Sequence, residues 1–280
     1  MARSRCWLAL AAGLVAVSTA LGWSFPWRPL QTLETALVFH PTPASESWVD
    51  PPEEMHVEDV WLTTPDGTRI HAWWAPVWTA SGAILYCHGN AGNLSHRLGN
   101  IFRLSTMLGE SVLIFDYPGY GKSDGAPSEG GCYAAGQAAY DWLTDNKRIP
   151  PEHIVLFGKS LGGGLATELA LHRPHRALVL VKTFTSVPNM ARRSWLTSAS
   201  ASMVHNEFDN LAKIGRCPGP VYVAHGDRDQ VIPLAQGQQL FTAAPSPKRF
   251  FLLKGAGHND PLPADFLADL AGFLAANKRN

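Results

Sequence analysis

The sequence predicts an α/β fold in which helices cover both faces of a mostly parallel sheet. Three observations carry that prediction. Short runs that are apolar at every position recur along the chain, segments of helical period or Gly-rich turns separate them, and one hairpin with alternating polarity precedes the series. Continuous apolar runs read as strands buried on both faces, and strand-helix alternation with two-sided burial implies a parallel sheet between two helical layers.

The elements follow in chain order. Met1 to Arg5 carries Arg3 and Arg5 and no acid, and no charge interrupts Cys6 to Trp27. Residues 1–27 are therefore expected to be a signal anchor or a signal peptide. An anchor fits because the uncharged stretch approaches the ~20 residues that span a bilayer and ends in Trp23, Phe25 and Trp27, suited to the membrane interface. Cleavage fits because Ser18-Thr-Ala20 offers small residues after a short apolar run. Either way the positive-inside rule keeps Arg3 and Arg5 cytoplasmic. The domain is then expected on the non-cytoplasmic side, periplasmic or extracellular, held to the membrane by its N-terminal segment or secreted.

Residues 28–56, with Pro41, Pro43, Pro51 and Pro52, read as a linker, and residues 57–280 as the α/β domain. Val57–Thr63 and Thr68–Ala75 alternate around Thr64-Pro-Asp-Gly67, which predicts an antiparallel hairpin. Buried strands are expected at Ala83–Cys87, Val112–Phe115, Ile154–Phe157, Ala177–Val181, Val221–Ala224 and Phe250–Leu253. Helices are expected at Ser95–Leu108, Tyr133–Asp145, Ser160–His172, Leu234–Phe241 and Ala264–Ala275. The connection from Ser186 to Lys213, which contains Trp195 and Leu196, leaves room for at most a small cap.

Composition narrows the function. The 280 residues hold 23 basic and 23 acidic side chains, and 46% of the chain is hydrophobic. A zero net charge argues against nucleic acid as a partner, because phosphate contacts need a basic face. With Arg3 and Arg5 set aside, 21 basic residues face 23 acidic ones, so the domain itself is slightly acidic. Eight of the ten Trp precede residue 80, and of these Trp48 and Trp78 belong neither to the leader nor to the hairpin. Cys6, Cys87, Cys132 and Cys217 form no C-x-x-C, so neither a zinc site nor a redox motif is encoded, and a Cys132–Cys217 bridge stays open.

The pattern G-x-S-x-G occurs twice, around Ser123 and around Ser160, and context separates the two. A nucleophilic serine needs a sharp strand-to-helix turn that lifts its hydroxyl above the sheet. Ser160 has an apolar strand before it and Leu161-Gly-Gly-Gly-Leu-Ala after it, whereas Ser123 sits among Pro118, Gly119, Gly125 and Pro127 and reads as a turn residue. A phosphate loop ending at Gly158-Lys-Ser160 would need a glycine five positions before Gly158, where His153 stands.

A serine hydroxyl needs a base and usually an acid that orients the base. Asp229, in His225-Gly-Asp-Arg-Asp229, follows one strand, and His258, in Gly255-Ala-Gly-His258, follows the last. Asp227 and Asp260 are the rival acids. The oxyanion donors are expected at the backbone N–H of Leu161 and, in His88-Gly-Asn-Ala-Gly-Asn93 after an early strand, of Asn90. His88 reads as a residue that shapes this loop, and no metal site is convincing.

These residues, with Phe39-His-Pro-Thr-Pro43, Asp116-Tyr-Pro-Gly-Tyr-Gly121 and Gly257-His-Asn259, resemble the α/β-hydrolase superfamily. Within it they resemble the small N-terminally anchored group that includes protein depalmitoylases and lysophospholipid lipases. The resemblance covers about residues 37 to 275. It implies a serine hydrolase with Ser160, Asp229 and His258 as triad, Asn90 and Leu161 as oxyanion hole, no cofactor, and a small-molecule or lipid acyl substrate joined by an ester or thioester bond. A serine peptidase and a non-catalytic binding protein are the alternatives on this fold, while a haloalkane or epoxide hydrolase would place Asp at position 160. Two residues depart from the group: Pro118 stands where Arg is usual, and Lys182 where Glu is common.

Overall fold

A computed structural model of the chain describes residues 35–36, 38–80, 82–192 and 204–277. Eight strands form one sheet: β1 Glu58–Thr63, β2 Arg69–Ala75, β3 Ala83–Cys87, β4 Ser111–Phe115, β5 Ile154–Lys159, β6 Ala177–Val181, β7 Val221–Gly226 and β8 Lys248–Leu253. Their spatial order is β1-β2-β4-β3-β5-β6-β7-β8. The pairs β1/β2 and β2/β4 are antiparallel and the rest parallel. The α/β-hydrolase fold expected from the sequence, with its N-terminal hairpin, is what the chain adopts.

The hairpin closes at Thr64-Pro-Asp-Gly67, where Asp66 Oδ1 accepts from the Thr68 N–H at 3.2 Å and Gly67 takes the left-handed φ of 87°. Strands β3, β4 and β6 are buried at every residue, as their unbroken apolar runs require. Strand β8 differs, being half exposed because it closes one edge of the sheet, and it begins two residues earlier than its apolar run, at Lys248 and Arg249. Charged side chains on an edge strand guard its unpaired backbone.

Among the described residues the α-helices are α1 Leu98–Leu108, α2 Glu129–Asp141, α3 Gly162–His172, α4 Val187–Ala191, α5 Asn210–Ile214, α6 Leu234–Ala243 and α7 Ala264–Ala276. Helix α2 starts four residues before its expected position because Ser128 caps it, accepting from the Gly131 N–H at 3.0 Å, and two glycines there hide the helical period. One face of the sheet carries Ile101 and Leu104 of α1 with Phe266, Leu270 and Phe273 of α7. The other carries Ala135 and Ala139 of α2, Leu165 and Leu169 of α3, Ile214 of α5 and Leu240 of α6. Phe208, fully buried with φ 41°, stands edge-on to Phe39 and Tyr133 and lies against Gly164 of α3.

In the connection where a small cap is expected, the described residues form the short helix α4 and the start of α5, which packs on the sheet through Ile214, while Trp195 and Leu196 lie outside the described residues. Cys87, Cys132 and Cys217 are free and buried, and burial pushes the Cys217 thiol up to about 12. Trp48 packs edge-on against Trp73 at 5.2 Å, and Trp78 is 85% exposed.

One expectation is corrected. Among the described residues no helix is long and apolar enough to cross a membrane. Helix α7 has 13 residues, about 20 Å at 1.5 Å per residue, against a hydrocarbon core of about 30 Å. The leader, residues 1–27, lies outside the described residues. The signal anchor, the transmembrane helix, the membrane contact and the non-cytoplasmic location built on them are accordingly withdrawn.

Phe208 ties the segment before α5 to α3, so its removal tests the packing of the helix that follows Ser160. Phe208→Ala is expected to cost about 3–5 kcal/mol of unfolding free energy, the range for emptying a buried aromatic site. Equilibrium urea denaturation followed by far-UV circular dichroism measures it.

Candidate active site

Ser160 occupies the turn between β5 and α3 with a left-handed φ of 54°. That turn is why α3 begins at Gly162, two residues later than its apolar pattern suggests. The Ser160 N–H donates to Val181 O at 3.0 Å, and its carbonyl accepts from Thr183 Oγ1 at 2.6 Å. The residues that follow pass so close to their neighbours that a Cβ at Gly162 would collide with the Cys87 carbonyl, and one at Gly163 with the Thr183 side chain.

His258 lies on the loop after β8. Its Nε2 is 3.0 Å from Ser160 Oγ, and its Nδ1 is 2.8 Å from Asp229 Oδ2. Asp229 follows β7, and its Oδ1 accepts from the N–H groups of Val231 at 2.9 Å and Ile232 at 2.8 Å. Burial works to raise the Asp229 carboxyl; the hydrogen bond from His258 and those from Ile232 and Val231 outweigh it and hold the group below the ordinary carboxylate value. Asp229 is thus an anion facing an imidazole that faces a hydroxyl.

The rival acids are engaged elsewhere. Asp227 Oδ1 accepts from the Gly255 N–H at 2.6 Å, and Asp260 Oδ2 from the Gly257 N–H at 2.8 Å, so both shape the loop that carries His258. Ser123 is held in its turn, its Oγ accepting from the His71 N–H at 2.9 Å.

Asn90 sits on the loop after β3, and a Cβ on the preceding Gly89 would lie 3.5 Å from the Ser160 Cβ. Among the described residues the N–H groups of Asn90 and Leu161 donate to no protein acceptor. The Asn90 side chain is fully engaged: Oδ1 accepts from the His40 N–H at 3.0 Å and the Tyr120 hydroxyl at 2.7 Å, and Nδ2 donates to Val38 O at 2.6 Å. Sequence reasoning chose Asn90 for its backbone and missed this role of its amide. Backbone bridges join Pro41 to Gly92 and Pro43 to Gly121, so the segment read as a linker packs directly against the loop that carries Asn90. The Phe39-His-Pro-Thr-Pro43 string was the signal for it.

His88 is buried beneath the same loop, stacked on Tyr117 with ring centroids 4.4 Å apart, and its Nδ1 donates to Gly89 O at 2.7 Å. Arg97 donates to Ala91 O from the other side. Lys159, next to Ser160, is pulled down to about 8 by burial and by the charges of Lys182 and Arg97, with Asp229 and Asp260 opposing. Among the described residues no group of three or more His, Cys, Asp and Glu could hold a metal ion.

Comparison with known proteins agrees with the fold. A family model described as alpha/beta hydrolase fold matches residues 82–200. An uncharacterized protein of Mycobacterium tuberculosis (strain CDC 1551 / Oshkosh), MT2364, is 34% identical over 264 residues, covering 93% of this chain and 92% of its own length. Alpha/beta hydrolase domain-containing protein 17B of Xenopus laevis is 32% identical over 198 residues, covering 70% and 67%. Among solved structures, the Pyrococcus furiosus esterase Pf2001 superposes with a TM-score of 0.70 at 19% identity, covering 86% of this chain and all of that one.

The depressed Asp229 carboxyl makes a pH prediction. A carboxylate whose folded value lies below its unfolded one contributes stability that is complete above the unfolded value and lost as pH falls through the folded one. Asp229→Asn should therefore be less stable than the wild type by a constant amount above about pH 5, and the gap should close below the ordinary value of 3.8. Urea denaturation of both proteins from pH 3 upward measures the gap.

Proposed function

The chain belongs to the α/β-hydrolase superfamily, and we propose that it is a serine hydrolase cleaving carboxylic ester or thioester bonds through an acyl-enzyme intermediate. The observation that carries this reading is the continuous hydrogen-bonded line from Ser160 Oγ through both nitrogens of His258 to Asp229. Such a line answers the weakness of a serine hydroxyl as a nucleophile, since the imidazole accepts its proton as the oxygen attacks.

In this reading Ser160 Oγ attacks the substrate carbonyl while its proton passes to His258 Nε2. The Nδ1–H donates to Asp229, whose negative charge stabilises the imidazolium that forms. The N–H groups of Leu161 and Asn90 receive the oxyanion, each such donor being worth about 2.7–4 kcal/mol in the transition state. Collapse of the tetrahedral species expels the alcohol or thiol, which takes the proton back from Nε2. Water, deprotonated by the same imidazole, then attacks the acyl-enzyme and frees the acid and Ser160.

A cavity of about 630 Å³ adjoins the oxyanion loop, walled by Phe39, Pro41, Thr42, Ala91, Gly92 and Pro127 among others. It is open to solvent, and its largely apolar wall suits a hydrocarbon chain. This supports a substrate with an extended acyl group, such as a lipid or a lipidated molecule.

Ser160→Ala is expected to lower kcat for p-nitrophenyl esters by roughly 10⁴–10⁶-fold and to abolish fluorophosphonate labelling while far-UV circular dichroism is unchanged. Unchanged labelling in that variant would sink the assignment, and faster turnover of aminoacyl amides than of esters would make the enzyme a peptidase. Ala91→Trp, which fills the cavity from its exposed side, should lower kcat/KM for an octanoyl ester at least about tenfold more than for the acetyl ester. Equal loss on both esters would remove the cavity from the account of specificity.

A further inference from the structure

Lys182 is the residue that the proposed chemistry leaves unused. It follows β6 directly, is fully buried, and has a left-handed φ of 49°. Its N–H donates to Ala224 O at 2.8 Å, which fixes the backbone against β7. Its Nζ reaches across to the loop after β8 and donates to Gly257 O at 2.6 Å and to Asp260 O at 3.1 Å. Those carbonyls bracket His258. Among the described residues no carboxylate oxygen lies within ion-pair distance of the ammonium.

Burying an ammonium is costly, and a Met of similar length would fill the same volume without that penalty. Charge-assisted hydrogen bonds are stronger than neutral ones, and one ammonium here holds two carbonyls of the same loop, so what the lysine adds to the fold is a tie on that loop. The start of the loop is tied to β7 and its turn, where Asp227 accepts from the Gly255 N–H and Ala256 O from the Arg228 N–H, and Lys182 adds the tie beyond that point. The Gly257 N–H turns back onto Asp260, and no helix or strand contains residues 257–260. A base must sit within hydrogen-bonding reach of both its partners, and His258 meets that requirement only while its loop keeps this height above the sheet.

We infer that Lys182 is a positioning residue of the acyl-transfer site: its buried ammonium clamps the carbonyls of Gly257 and Asp260 and so holds the His258 imidazole between Ser160 and Asp229. This rests on the serine-hydrolase reading and adds to it a residue outside the triad. Lys182 touches no reacting atom; it acts through the loop backbone. Burial pulls its ammonium below the ordinary lysine value, and the charges of Asp260 and Asp229 oppose that pull.

The test is made on the full-length chain. Lys182→Met is expected to lower kcat for p-nitrophenyl butyrate about 10–100-fold, the range for a misplaced catalytic group, with KM changed by less than about threefold. Fluorophosphonate labelling of Ser160 should slow by the same factor. As a stability control, Leu270→Ala in α7 should lower Tm and leave kcat unchanged. Should Lys182→Met fail to fold, Lys182→Gln, which keeps an N–H donor and loses the charge, carries the same comparison. A folded Lys182 variant with wild-type kcat and labelling rate overturns the inference and leaves the serine reading intact. A wild-type chain that neither turns over esters nor takes up the probe overturns both.

Discussion

The site depends on one constraint, the left-handed turn at Ser160 between β5 and α3. A non-glycine residue held there costs of the order of 1–3 kcal/mol. The packing that follows is large enough to offset it. Leu165 and Leu169 of α3 are almost wholly buried against the sheet, and a fully buried leucine contributes about 1.5–3 kcal/mol. The helix can reach that depth because Gly162 and Gly163 lie against Cys87 and Thr183, where no Cβ would fit. Small residues, a strained serine and a buried helix are therefore one feature: if α3 were set back to admit side chains, the turn would have nothing to hold it.

The other groups approach this fixed point from neighbouring strands. Because β3, β5, β6, β7 and β8 run parallel in adjacent or near-adjacent positions, their carboxyl ends open on one edge of the sheet. Asn90 follows β3, Ser160 follows β5, Asp229 follows β7 and His258 follows β8. The loops contribute little rigidity of their own and borrow it from buried polar contacts. Asp229 is held by two backbone N–H groups, the His258 loop by Lys182, and the Asn90 loop by its own amide together with Val38, His40 and Tyr120. The Asn90 loop is braced by chain some fifty residues earlier, so residues 38–44 pack on it rather than serving as a tether.

The central strands were legible because they are buried on both faces, so that β3, β6 and, after Ser111, β4 run apolar without a break. Edge strand β8 lacks that constraint, and its first two residues escaped notice for that reason. Ser160, Asp229 and His258 could be read in order because each sits just past an apolar run. The supports could not. The reach of Lys182 to Gly257 spans 75 residues of sequence, and no local pattern marks a lysine as clamp rather than surface charge. The leader was read as a membrane segment from its uncharged apolar run, its flanking Arg3 and Arg5 and its terminal aromatics, and among the described residues no helix has the length and apolarity that such a role needs.

The two G-x-S-x-G strings show how little of such a turn's setting is local. Both offer glycines on either side of a serine, and both pass their chain through a tight bend. At Ser123 the hydroxyl accepts from the His71 N–H, and the Ser123 N–H donates to Tyr120 O, so the serine secures a loop against β2. At Ser160 the backbone N–H donates to Val181 O of β6 and the C=O accepts from the Thr183 hydroxyl just past that strand and from the Gly163 N–H, which leaves the side chain to meet His258. What separates them is where the backbone groups find partners. The Ser160 hydroxyl is turned to an imidazole, whereas the Ser123 hydroxyl is turned to the backbone of β2.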